Sequence, residues 1–138
     1  MELRPMMTLE QCTYHANGHK LVFGIFALKQ FNLATQTYPT IFSVVAYFNG
    51  HTQLNGLIEM VRAGYEQGNR KVITPYEAAD IVQTFTAEQQ DEMSMLFYSS
   101  IVGEDFITWA ERQKQALEQA EADAVGPQPE TTDSIPKS

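Results

Sequence analysis

The chain has 138 residues, 43% of them hydrophobic, a net charge of -8 and one cysteine, Cys12. That is enough for one modest core, while the negative charge disfavours non-specific contact with nucleic acid or an anionic membrane, whose phosphates would repel it. A single cysteine excludes an internal disulfide and a thiolate metal cage, and the longest apolar stretch, Ile41 to Phe48, is far shorter than the about 20 residues a bilayer requires.

Met1 to Met7 lacks a sustained apolar h-region and a small-residue cleavage site, so cytoplasmic synthesis is the expectation and residues 1–8 read as a flexible start. Asn17-Gly18 between two strand-like runs is the strongest hairpin signal, because a type I′ turn needs positive φ at both central residues. Counting outward pairs Tyr14 with Leu21 and Cys12 with Phe23, all on one face that should cover a helical core. Cys12 reads as a small buried hydrophobe on the strand.

After Gly24 the apolar spacing turns helical through Ala27, Leu28, Phe31 and Ala34, ending between Gln36 and Tyr38 ahead of Pro39. Ile41, Val44, Val45 and Phe48 give a second helix, stopped by Asn49-Gly50, although the β-branched content of residues 42–45 leaves a strand open. A third helix is expected from Thr52 to Gln67, with Leu54, Leu57, Ile58, Val61 and Tyr65 buried, Glu59, Arg62 and Glu66 facing water, and Gly68-Asn69 closing it.

Thr74, Pro75 and Glu77 mark the start of a fourth helix, as N-cap, first helical residue and capping-box partner, with Ala78, Ile81, Val82 and Phe85 inward. Thr86 and Gln89 repeat that logic for a fifth, carrying Met93, Leu96, Phe97 and Ile101 inward as far as Gly103. A last helix from about Glu104 should keep Phe106, Ile107, Trp109 and Ala110 near the body and then run polar. The Pro-rich end cannot bury enough apolar surface to order itself. The fold expected is therefore mostly α with a small β part (α+β): an N-terminal hairpin packed on five to six short helices over residues 9–120, and a disordered tail over 121–138.

Charge is unevenly spread. Up to Lys71 the bases Arg4, Lys20, Lys29, Arg62, Arg70 and Lys71 outnumber the acids Glu2, Glu10, Glu59 and Glu66. From Val72 to Glu111 there is no Lys or Arg, while Glu77, Asp80, Glu88, Asp91, Glu92, Glu104, Asp105 and Glu111 are all negative. Acids in first turns complement the helix dipole, which is one explanation. The other is an acidic surface, including Asp91 and Glu92, for a basic partner or for the Arg70-Lys71 region of a neighbouring copy, giving a salt-sensitive homo-oligomer.

No constellation for catalysis stands out. His15, His19 and His51 have no helical i, i+4 partner or carboxylate pattern for a metal, and the glycines form no phosphate-cradling loop, so no metal or cofactor is expected. Asp80, Asp91 and Glu92 lie on polar helix faces and read as solvated. A helix-turn-helix over residues 75–101 would present acids to DNA, which phosphates reject. The expectation is a non-enzymatic protein-binding domain.

Three segments in order, Lys20-Leu21-Val22-Phe23-Gly24-Ile25-Phe26-Ala27-Leu28-Lys29-Gln30-Phe31, then Leu54 to Tyr65 ending in Ala63-Gly64-Tyr65, then Ile73-Thr74-Pro75-Tyr76-Glu77-Ala78-Ala79, resemble the tail assembly chaperones of long-tailed bacteriophages. The likeness spans roughly residues 9–107; it departs from the family's pattern in having a single acid at the Thr74 helix start and in its Pro-rich end. It implies a viral morphogenesis protein of the host cytoplasm, absent from the mature virion, that coats the tape measure protein and helps tail tube protein polymerise around it. It further implies a longer form made by ribosomal frameshifting, for which residues 121–138 would suit a junction. The partner helix would meet Met60, Tyr65, Met93, Met95 and Phe97, each of which has ordinary core packing as its alternative, with Met60 and Met95 falling off the main buried stripes. The alternatives are a structural virion protein, such as a tail-completion or connector protein, and a small adaptor that binds one host protein.

Overall fold

The hairpin forms where Asn17-Gly18 places it. In the computed structural model, which describes residues 7–38, 40–50 and 53–125, β1 (Thr13–Ala16) pairs antiparallel with β2 (His19–Val22), Tyr14 opposite Leu21. Asn17 and Gly18 both take positive φ, 53° and 82°, as the two-residue turn requires. The ladder continues past the strands through Phe23 N–H to Cys12 C=O at 2.9 Å, so Cys12 is buried beside Leu21 and Phe23. Just before it, Thr8 and Gln11 exchange side-chain to backbone hydrogen bonds at 2.8 and 3.1 Å, which ties down the beginning of the described chain.

Helix α1 (Ile25–Thr35) starts at Gly24 and stops at Gln36 in the left-handed region, φ 58°. Ala27 and Phe31 are buried as expected; Leu28 is only half-buried and Ala34 is exposed, because the helix settles with its Ala27-Phe31 edge against the core. Residues 41–48, readable as helix or strand, are helix α2 (Ile41–Gly50). Thr40 caps it through Oγ1 to Ser43 N–H at 3.2 Å, and Ile41, Val44 and Phe48 are buried at helical spacing.

Helix α3 (Gln53–Asn69) corrects the expected stripe. Leu54 is 69% exposed and Ile58 and Tyr65 half-buried, while Gly56, Leu57, Met60, Val61, Ala63, Gly64 and Gln67 are buried. The face is set by residues 56, 60 and 64, one turn apart. Gly56 receives the Phe48 ring, and at Gly64 a Cβ would stand 2.6 Å from Phe23 Cε1. Arg62, Glu59 and Glu66, expected to face water, are drawn in where α1 lies along α3: Arg62 pairs with Glu59 at 3.2 Å and donates to Ile73 C=O at 3.3 Å, and Gln30 donates to Glu66 at 3.5 Å.

Both capping boxes form. Thr74 and Glu77 bond reciprocally at the start of α4 (Pro75–Thr84), and Thr86 and Gln89 do so for α5 (Ala87–Val102), which ends at Gly103 with φ 86°. The turn of the hairpin docks on the corner between them, because Asn17 Nδ2 donates to Thr84 C=O at 2.9 Å and to Gln89 Oε1 at 3.2 Å. The core closes around Phe23, Phe31 and Phe97, with Phe97 at 5.4 Å from Phe23 and 4.8 Å from Phe31 between ring centres, both edge to face.

Met1–Phe106 and Ile107–Ser138 are separate units. Helix α6 (Phe106–Val125) begins two residues later than Glu104, where Phe106 N–H donates to Ser99 Oγ at 2.9 Å. Within the second unit Ile107 is 58% exposed, against the expectation that it would be covered, and residues 111–124 are exposed as their polar sequence requires. Residues 1–6 and the Pro-rich end beyond Val125 lie outside the described residues, as do Pro39 and His51.

Candidate functional site

On α5 the core and the surface divide by helical spacing. Met93 and Phe97 are fully buried, so these two of the apolar partner candidates are core. Asp91, Ser94, Met95 and Tyr98, at i, i+3, i+4 and i+7, lie on the adjoining face. With Phe48 from α2 and Gln53 and Leu57 from α3 they line a groove of about 210 Å³. Phe48 and Leu57 are buried and form its floor; Met95, 39% exposed, stands at its lip.

Tyr98 is the wall. Its ring meets Phe48 edge to face at 6.0 Å and tilts against Phe106 at 5.2 Å, and burial pushes its phenol pKa upward. Asp91 is the one acid among the residues that line the groove; Glu88 and Glu92 lie on the side of α5 toward Tyr14, and no Lys or Arg occurs from Val72 to Glu111. A groove with an apolar floor and an acidic edge accepts an apolar side chain from a helix that also carries basic residues.

The remaining candidates are dispersed. Met60 has no exposed surface and lies on the inner face of α3, so it cannot meet a partner; placing it off the stripe was an error of rotation caused by counting Leu54 as core. Tyr65 is half-buried on α3, away from the residues that line the groove. Glu92 is engaged by the hairpin, for Tyr14 Oη donates to its Oε1 at 2.9 Å and lies 3.2 Å from Gln89 C=O. Desolvation, then the hydrogen bond and charge of Glu92, push the Tyr14 pKa up to about 12. Arg70 and Lys71 are exposed beyond α3, and Arg70 lines a different cleft.

Of the nine candidates, Asp91 and Met95 therefore come together at the groove and the others do not. Sequence reading missed Gln53, Gln90, Ser94 and Tyr98, and the one available signal was that Tyr98 follows Asp91 by seven residues on the side away from Phe97. Among the described residues no group of three His, Cys, Asp or Glu side chains is placed to hold a metal ion, and no helix is long and apolar enough to cross a membrane. Comparison with models of known families, with curated proteins and with solved structures finds no match.

Proposed function

We propose that this chain is a non-enzymatic phage tail assembly chaperone that binds a helical segment of the tape measure protein in the groove between α2, α3 and α5. The observation that carries the reading is that groove: buried Phe48 and Leu57 beneath, Met95 at the lip, Tyr98 as wall and Asp91 at the rim. Methionine adapts to varied partner surfaces, which suits a chaperone that must meet many turns of one long helix. The order of hairpin, glycine-punctuated helix and Thr-capped helix, on which the resemblance rests, supports the same reading.

In this role the chain holds the tape measure protein soluble in the host cytoplasm, assists tail tube assembly and departs before the tail is complete. Co-expression tests it. The chain should raise the soluble fraction of a candidate tape measure protein, and Met95→Lys, which changes an exposed residue, should remove that effect while leaving the fold intact. Unchanged solubility with the wild-type chain contradicts the proposal. Purified particles should lack the chain, whereas a connector protein would be retained.

A further inference from the structure

A second, larger cleft of about 590 Å³ lies on the face of the hairpin that turns away from the core. Register brings its charges together. His15 and Lys20 stand directly opposite each other, one residue out of phase with the buried Leu21, so both project to the outer face. Arg70 joins them from the end of α3, because Gly68 allows that helix to approach β2; a Cβ there would stand 3.0 Å from Lys20 C=O. Asn69 Nδ2 donates to the same carbonyl at 2.9 Å and holds the approach.

The φ of Arg70 is 56°, the left-handed region that suits glycine, and the corresponding position after α5 is Gly103 with φ 86°. Gln36, which ends α1 with φ 58°, takes the same conformation, so the left-handed φ of Arg70 is an ordinary way to end a helix, closed by Arg70 N–H to Glu66 C=O at 2.8 Å. In a chain of net charge -8, two permanent bases, Lys20 and Arg70, with His15 beside them, line one cleft against a single acid, Glu10, which makes it a local excess of basic groups.

We infer that this cleft binds an acidic polypeptide segment of a partner protein, with carboxylates meeting Arg70 and Lys20 and an aliphatic side chain meeting Leu9 and Val22. Its size exceeds that of a simple inorganic anion, and its wall includes apolar carbons. A nucleic acid strand is disfavoured because Glu10 lines the same cleft and successive phosphates would meet an acidic protein. Peptide carboxylates can be spaced around Glu10. The inference does not rest on the chaperone reading, since the two sites share no lining residue.

The test is fluorescence anisotropy of a labelled glutamate-rich peptide containing leucine, and of its glutamine counterpart, titrated with the full chain at low ionic strength. The acidic peptide should bind about tenfold more tightly, and Lys20→Gln and Arg70→Gly should each weaken it by about fivefold or more. Arg70→Gly should do so with an unchanged or higher melting temperature, a result that separates a ligand contact from a structural one. Equal binding of the two peptides, wild-type binding by both variants, a lowered melting temperature for Arg70→Gly, complete displacement by inorganic phosphate, or tighter binding of a single-stranded oligonucleotide would each overturn the inference.

Discussion

The side-chain carbonyl of Gln67, buried near the end of α3, accepts hydrogen bonds from the backbone N–H groups of Gly24 at 3.0 Å and Ala27 at 2.9 Å. A helix start normally receives this from a Ser, Thr, Asp or Asn side chain at its N-cap. Here the cap residue has no side chain and a second helix supplies the acceptor. The relation explains how strand β2 can run into α1 with only Gly24 between them, because a side chain at position 24 would occupy the place of the Gln67 amide.

Removing the acceptor should therefore cost more than an ordinary surface cap. Gln67→Leu leaves two buried N–H groups without a partner, and chemical denaturation should show a loss of about 2 kcal/mol. Gly24→Ala displaces the same amide, so the double variant should lose clearly less than the sum of the two single losses.

The docking of the hairpin turn can be divided into conformation and contact. Asn17→Gly keeps the positive φ but removes the bonds to Thr84 and Gln89, and should cost about 1 kcal/mol. Asn17→Ala loses both, and should cost roughly 2 kcal/mol in the same denaturation measurement.

Alkaline stability should depend on Tyr14. Its folded pKa of about 12 lies above the ordinary 10.0, so the native state keeps a proton that the unfolded chain releases. The resulting stabilisation is fully present below pH 10 and is lost as pH rises through about 12. The stability difference between wild type and Tyr14→Phe should accordingly shrink across that window, followed by denaturation at a series of pH values; a constant difference would contradict the assignment.

Met60 and Met95 should separate cleanly. Met60→Ala empties a fully buried site and should cost about 2 to 5 kcal/mol. Met95→Lys, at an exposed lip, should stay within about 0.5 kcal/mol of wild type.

What was legible in the sequence was chemistry local to a few residues. Asn17-Gly18 states its own turn, and Thr74 with Glu77 and Thr86 with Gln89 state their own helix starts, since each partner lies within three residues. The face of α3 was not legible, because Gly56 and Gly64 contribute no hydrophobic signal although large side chains from elsewhere, Phe48 and Phe23, need the space they leave. Gln67 was legible only as the expected end of the third helix, and nothing local marks it as a cap, because its partners are some forty residues away. The groove was half legible: Asp91 and Met95 are one helical turn apart, whereas Phe48, Gln53 and Leu57 reach it only through the packing of three helices.

The central claim is that the groove beside Met95 and Tyr98 holds a tape measure helix, and one measurement addresses it most directly. The soluble fraction of a candidate tape measure protein is quantified when it is expressed alone, with the wild-type chain, and with Met95→Lys. The account predicts a rise with wild type only, with the variant as stable as wild type. An equal rise with both chains would place binding outside the groove, and no rise with either would contradict the chaperone assignment itself.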